Sequence, residues 1–128
     1  MSLRDNLRVM VVDDMSTSRG LITQALDAIG IRHYSAEKDG KAAFQRLTAS
    51  PVHLVISDFN MPGLDGLQLL EALRGHKVTQ KVGFILITGR ADPALIERGK
   101  KLAMNNFLAK PFDAPKMKAC IEQVVGRL

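Results

Sequence analysis

Four β-rich runs in this chain end on residues that can do chemistry. Arg8–Val12 runs into Asp13-Asp14, Val52–Ile56 into Ser57-Asp58, Phe84–Ile87 into Thr88-Gly89, and Asn106–Ala109 into Lys110-Pro111. If these runs are strands of one parallel sheet, their C-terminal ends share a rim, and open α/β sheets bind ligands at that rim. Three carboxylates, a hydroxyl and an ammonium would then converge. Carboxylates crowded in this way repel one another and hold protons too tightly unless a cation sits among them. A hard divalent ion suits such oxygen donors, and Mg²⁺ in particular takes one or two carboxylates together with water and phosphate oxygens. Asp58, alone at the end of the most apolar run, can attack phosphorus to give an aspartyl phosphate. Thr88 can donate to a phosphoryl oxygen, Gly89 leaves room for it, and Lys110 supplies a compact positive charge.

The elements that must position these groups alternate along the whole chain. Arg8–Val12, Val52–Ile56 and Phe84–Thr88 are apolar on both faces, as buried parallel strands are. Arg32–Ala36 and Asn106–Ala109 are weaker runs suited to the edges. Between them lie segments of helical period. Ser16 is the expected N-cap of a helix burying Leu21, Ile22, Ala25, Leu26 and Ile29, with Gly30 as its stop. Because Ser16 fills that role, Asp13 and Asp14 are not needed as caps. Asp39 opens a helix carrying Ala43, Phe44 and Leu47, and Asp65 opens one carrying Leu69, Leu70 and Leu73 before Gly75. Asp92-Pro93 pairs an N-cap with proline at the first helical position. Asp113 opens the last helix, striped by Met117, Cys120, Ile121, Val124 and Leu128. Five βα units account for residues 1–128 as a single domain with helices on both faces of a parallel sheet.

Composition closes off several other classes. At 128 residues the chain is one domain's length, with 46% hydrophobic and 24% charged residues, so it can bury a core and is not disordered. No apolar run exceeds four residues, so no membrane insertion is expected. The N-terminal stretch lacks a signal-peptide pattern, so the expected compartment is the cytoplasm. A single cysteine, Cys120, excludes an internal disulfide and a cysteine-built zinc site, and its place in an apolar stripe reads as packing. His33, His53 and His76 are scattered without metal-ligand spacing. The net charge of +5 favours acidic partners. With five Phe, one Tyr and no Trp, the chain lacks the aromatics of a single-strand binding platform.

The motifs resemble the receiver domains of two-component response regulators, and among them the stand-alone chemotaxis type. Four stretches carry the likeness: Val11-Val12-Asp13-Asp14, Asp58-Phe59-Asn60-Met61-Pro62-Gly63-Leu64-Asp65-Gly66, Ile87-Thr88-Gly89, and Phe107-Leu108-Ala109-Lys110-Pro111-Phe112. The resemblance implies a doubly wound (βα)5, flavodoxin-like fold with strand order 2-1-3-4-5. It implies Asp58 as phosphoacceptor, supplied by a histidine kinase. Asp14, Asp58 and the Asn60 backbone carbonyl would ligate Mg²⁺, with Asp13 acting through a metal-bound water. Lys110 would bridge to the phosphate, and the Lys110-Pro111 bond would be cis. Thr88 would move to the phosphate as Phe107 swings inward. Phe107 stands where the chemotaxis subgroup typically has Tyr, so the hydroxyl that a partner of the tyrosine form reads is missing.

The implied output surface, on the fourth and fifth of the repeating helices and the fifth strand, carries Arg98, Lys100, Lys101, Phe107, Lys116 and Lys118. An acidic segment of a flagellar motor switch protein, or of another target, would dock there, steered by charge; a solvated basic face is the plainer account of the same residues. A phosphatase that ends the signal is a further partner, the chain is expected to be a monomer without an output domain, and Arg90 stands beside the pocket where it can affect dephosphorylation. Within the class, a phosphate sink or relay intermediate remains open beside motor control. Among rival classes, a Mg²⁺-dependent phosphatase with an aspartyl phosphate intermediate needs a second acid two residues after its nucleophile, where this chain has Asn60. A nucleic-acid binder has no helix pair left to use, and an acidic rim is wrong for a flavin phosphate.

Overall fold

Alternate residues of the central strands enter opposite hydrophobic layers, and that alternation builds the molecule. Val9, Val11, Leu54, Ile56, Ile85 and Ile87 pack with Ile22, Leu26, Met117 and Ile121 on one face. Met10, Val12, Val55, Phe84 and Leu86 pack with Leu47, Leu67, Leu70 and Leu73 on the other. Both faces of each strand are dry, which is why these runs show no polar alternation. The computed structural model describes residues 3–90 and 92–128; residues 1, 2 and 91, inside the 1–128 span expected for the domain, lie outside the described residues.

In order, the elements are α1 (Leu3–Asn6), β1 (Arg8–Val12), α2 (Ser16–Ile29), β2 (His33–Glu37), α3 (Gly40–Ala49), β3 (Leu54–Asp58), α4 (Gly66–Arg74), β4 (Gly83–Thr88), α5 (Pro93–Lys101), β5 (Asn106–Ala109) and α6 (Ala114–Val125). The five strands are parallel and lie in the order 2-1-3-4-5. The expected α/β fold is therefore the one observed. β3 is buried along its full length, while the edge strands β2 and β5 are only partly covered.

Helix punctuation follows the sequence closely. Asp39, Asp65, Asp92 and Asp113 each accept a hydrogen bond from the first turn of the helix they open. At Asp65 the cap is reciprocal, with Gln68 accepting from the Asp65 N–H at 2.9 Å. Gly30 closes α2 in the left-handed region at φ 94°.

Three expectations need correction, and one element was not expected. Met15, not Ser16, is the N-cap of α2, and it makes no side-chain cap bond. The nearby Asp13 carboxylate takes the Met15 N–H at 3.0 Å, so the serine hydroxyl is not called on there. Leu21 is 57% exposed on the outer face of α2 instead of in the core. β3 begins at Leu54 and includes Asp58, two residues later than the apolar run suggests, because its pairing with β4 continues to Asp58 and Ile87. The short α1 had no counterpart in the sequence reading; Arg4 ties it to the end of α2 by donating to the Ile29 carbonyl at 3.3 Å.

Candidate functional site

β1, β3, β4 and β5 end at one rim, and the residues just there come from segments far apart in sequence. Asp13 and Asp58 are buried, at 0% and 6% exposure, and Asp14 is more open. Ligand oxygens of Asp13, Asp14 and Asp58 all lie within 4.8 Å of one another. Lys110 reaches in from the end of β5, its Nζ 2.7 Å from Asp58 Oδ1. The Lys110-Pro111 bond is cis. The Lys110 N–H donates to the Thr88 carbonyl at 2.9 Å, which fastens the end of β5 to the end of β4.

Burial is the leading influence on Asp58 and pushes its carboxyl above the usual range; Lys110 pulls it back, and Asp13 and Asp14 push it up again. A carboxylate held in this way gains from added positive charge. The donor set is all oxygen, it is crowded, and of the three acids the Lys110 ammonium pairs with Asp58. Those are the conditions a hard divalent cation satisfies, so the residues fit Mg²⁺.

Three residues that sequence reasoning did not single out complete the arrangement. Ser18, in the first turns of α2, donates its hydroxyl proton to Asp13 Oδ2 and accepts from Lys110 Nζ at 3.2 Å. The only hint in the sequence is its position in the first turn of the helix that follows the acid pair, five residues after Asp13. Gly66, at the start of α4, lies against the end of β3 and the residue after it. A Cβ there would stand 2.6 Å from the Asp58 carbonyl oxygen and 3.0 Å from Phe59 Cα. Arg19 adds a bond from its guanidinium to the Asp13 carbonyl at 2.9 Å.

Thr88 is 3% exposed, and its hydroxyl is engaged within its own loop. It donates to the Arg90 carbonyl at 3.0 Å and accepts from the Arg90 N–H at 3.1 Å. The structure therefore places Thr88 at the rim with its hydroxyl turned to Arg90. A cleft of about 600 Å³ opens beside it, lined by Phe59, Asn60, Thr88, Arg90, Leu95 and Arg98. Asn60 is exposed on that cleft. A second, more apolar groove of about 520 Å³ runs from Lys110 along Pro111 and Phe112 to Leu21 and Ala25 of α2.

The chain is matched by the response regulator receiver domain family over residues 9–122. It belongs to that family. This receiver domain is 45% identical, over 100% of its length and 99% of the relative's, to a probable chemotaxis protein CheY of Rhizobium etli. It superimposes with a TM-score of 0.85 on the chemotaxis protein CheY4 of Vibrio cholerae, at 24% identity, covering 92% of this chain and 98% of that one. The receiver domain of the sensor histidine kinase PA1611 of Pseudomonas aeruginosa matches at a TM-score of 0.84 and 23% identity, over 94% of this chain and 98% of that one; in that protein a magnesium ion is coordinated in the active-site cleft. Receiver domains receive phosphoryl groups from histidine kinases and serve phosphorylation-dependent signalling; they are not enzymes with an external substrate.

The remaining expected residues spread over the surface of α5, β5 and α6. Arg98, Lys100, Lys101 and Lys116 are exposed, while Lys118 is half-buried. Phe107 is half-buried against the layer that holds Phe84, Leu86 and Leu95, and its carbonyl accepts from Cys120 Sγ at 3.6 Å. Cys120 is buried, and burial pushes its thiol up to about 11, which leaves it unreactive at neutral pH. Two of the histidines have structural partners. His53 Nδ1 accepts from the Arg8 N–H at 3.0 Å, and the His76 ring meets Phe44 edge-on at 5.8 Å. No helix among the described residues is long and apolar enough to cross a membrane.

Proposed function

We propose that this receiver accepts a phosphoryl group from a histidine kinase on Asp58 and signals through the resulting change on its α5-β5-α6 face. The observation that carries the reading is the ammonium of Lys110 at 2.7 Å from a buried carboxylate that two more aspartates crowd. In the transfer, an oxygen of Asp58 forms a bond to phosphorus as the phosphorus–nitrogen bond of the donor's phosphohistidine breaks. The bonding pair goes to the imidazole nitrogen, and the ring, protonated on its other nitrogen before the bond breaks, leaves neutral. Asp14, Asp58 and the Asn60 carbonyl would hold Mg²⁺, with Asp13 behind them; when bound, the ion neutralises the charge on the phosphoryl oxygens.

Lys110 is already at the acceptor oxygen and can keep its charge against the incoming group. A phosphoryl oxygen is a stronger acceptor than the Arg90 carbonyl for the Thr88 hydroxyl, because its bond is charge-assisted. Thr88 would therefore leave Arg90 and turn to Asp58, and Phe107 would occupy the space it vacates. This amounts to a shift between two populated arrangements of one rim.

Arg98, Lys100, Lys101, Lys116 and Lys118 would then meet an acidic segment of a target, a flagellar motor switch protein in the chemotaxis reading. The name of the Rhizobium etli relative supports chemotaxis as the setting. Because Phe107 offers no hydroxyl, a phosphate sink or relay that competes for the kinase's phosphoryl groups is the second reading. Intact mass after incubation with acetyl phosphate and Mg²⁺ tests the core of the proposal. A transient phosphoryl adduct is expected in the natural chain and absent from Asp58→Asn. An adduct that survives in Asp58→Asn, or none in either chain, would refute Asp58 as acceptor.

A further inference from the structure

A single hydroxyl stands between the ammonium and one of the carboxylates of the site. Lys110 has only protons to give, and the Asp13 carboxylate only accepts. Between them the Ser18 hydroxyl has one orientation: it accepts from Lys110 Nζ at 3.2 Å and donates to Asp13 Oδ2. The other Asp13 oxygen is held by the Met15 N–H at 3.0 Å, and the Asp13 carbonyl by Arg19 at 2.9 Å. We propose that Ser18 is a positioning residue of the phosphoryl site, fixing the Asp13 carboxylate for the cation and the Lys110 ammonium for the phosphate at the same time. The inference rests on the function proposed above.

The location of Ser18 makes that role physical. It lies on α2, a helix whose inner residues Ile22 and Leu26 are fully buried, so its hydroxyl is carried by a rigid element. Lys110 is on a flexible four-carbon stem, 92 residues away in sequence. Its head group has two acceptors, Asp58 Oδ1 at 2.7 Å and Ser18 Oγ at 3.2 Å, and two anchors define the stem where one would let it sweep. Asp13 has a donor on each oxygen, which fixes the plane of its carboxylate. Outer partners that orient the carboxylates around a metal generally contribute about 10–100-fold to metal affinity, and Asp13 would reach the ion through a bound water. Ser18 is half-buried, so water can replace part of what it does, and the lower end of that range applies.

Ser18→Ala removes the hydroxyl and little else. Alanine is a better helix former than serine, so α2 is not weakened and the variant keeps its fold. Ser18→Thr restores a hydroxyl at the same position. The test is a calorimetric Mg²⁺ titration of the three proteins, together with the rate of adduct formation from acetyl phosphate at saturating Mg²⁺. The expected result is an Mg²⁺ dissociation constant about 10-fold higher in Ser18→Ala, with Ser18→Thr returning to within about 2-fold of the natural chain. Adduct formation should stay slower in Ser18→Ala even when Mg²⁺ saturates, because Lys110 has lost its second anchor. Equal Mg²⁺ affinity in the natural and alanine chains would overturn the inference, as would a threonine variant as weak as alanine. A natural chain that neither binds Mg²⁺ nor forms the adduct overturns the functional reading itself, and Ser18 with it.

Discussion

Replacing Gly66 by alanine should displace Asp58, the proposed phosphoacceptor, without touching any titratable group. The added Cβ would lie 2.6 Å from the Asp58 carbonyl oxygen, 2.7 Å from Leu86 Cδ1 and 3.0 Å from Phe59 Cα, against the 3.4–4 Å of ordinary contact. Two of the three obstacles are backbone, and the Asp58 carbonyl already accepts from the Ser57 hydroxyl at 2.9 Å, so it cannot swing away freely. The gap of about 0.8 Å must be opened by moving the start of α4 away from the end of β3. Such overpacking generally costs about 1–3 kcal/mol. For a domain of this size that lowers the melting temperature by roughly 3–12 °C. The displacement falls on the residue proposed to meet phosphorus, and a misplacement of about 1 Å can cost about 10²-fold in rate. Chemical denaturation measures the first effect, and the rate of adduct formation from acetyl phosphate measures the second. A Gly66→Ala protein as stable and as quickly phosphorylated as the natural chain would refute the argument from close approach.

Two further perturbations test the electrostatics and the frame. Burial raises the Asp58 carboxyl in the folded state, so the folded protein holds that proton more tightly than the unfolded chain does. Its ionisation therefore removes stability as pH rises from the ordinary carboxylate range through the raised folded value. Without divalent ions, Asp58→Asn should match the natural chain in acid and exceed its stability at neutral pH, and added Mg²⁺ should narrow the difference; denaturation midpoints that stay parallel from pH 3 to 8 would contradict this. Arg74 donates to the carbonyls of Val82 at 2.7 Å, Ala103 at 2.9 Å, Gln80 at 3.1 Å and Leu102 at 3.3 Å, and to Asn105 Oδ1 at 3.1 Å. Arg74→Lys keeps the charge but not the fork, so it should cost about 2–4 kcal/mol, the worth of one or two charge-assisted bonds, by urea unfolding. A lysine variant as stable as the natural chain would show that the charge alone suffices.

The βα alternation, the rim and its carboxylates were legible because each depends on patterns within a few residues, whereas the strand order came from the family resemblance. Asp39, Asp65, Asp92 and Asp113 announce their helices through a local cap, and the apolar runs announce strands dry on both faces. Ser16 misled for the same reason: a serine before an apolar period is the ordinary N-cap signal, yet Asp13 answers the Met15 N–H, so the cap falls on Met15 and Ser16 is already the first helical residue. Leu21 misled because the period of α2 admits it to the apolar stripe, while the covered arc ends at Ile22 and Ala25. Neither error moves the site.

What the sequence could not show is how the polar groups at the rim are shared out. Thr88 and Lys110 are readable as partners for a phosphate, but at rest each has another acceptor, Arg90 for the hydroxyl and Asp58 with Ser18 for the ammonium. Those bonds join side chains that are neighbours only through the fold, and Ser18 and Lys110 come from opposite ends of the chain. The resting arrangement also explains why the site can be poised without being spent. Every group proposed for the phosphoryl oxygens is occupied by a weaker or a shared partner that belongs to this chain. A phosphoryl group on Asp58 offers charged oxygens in place of the Arg90 carbonyl and the serine hydroxyl, and charge-assisted bonds are roughly twice as strong as neutral ones. In the proposed function the exchange would therefore run toward the phosphoryl group, and because Lys110 is tied through its own N–H to the Thr88 carbonyl, the ends of β4 and β5 would adjust together.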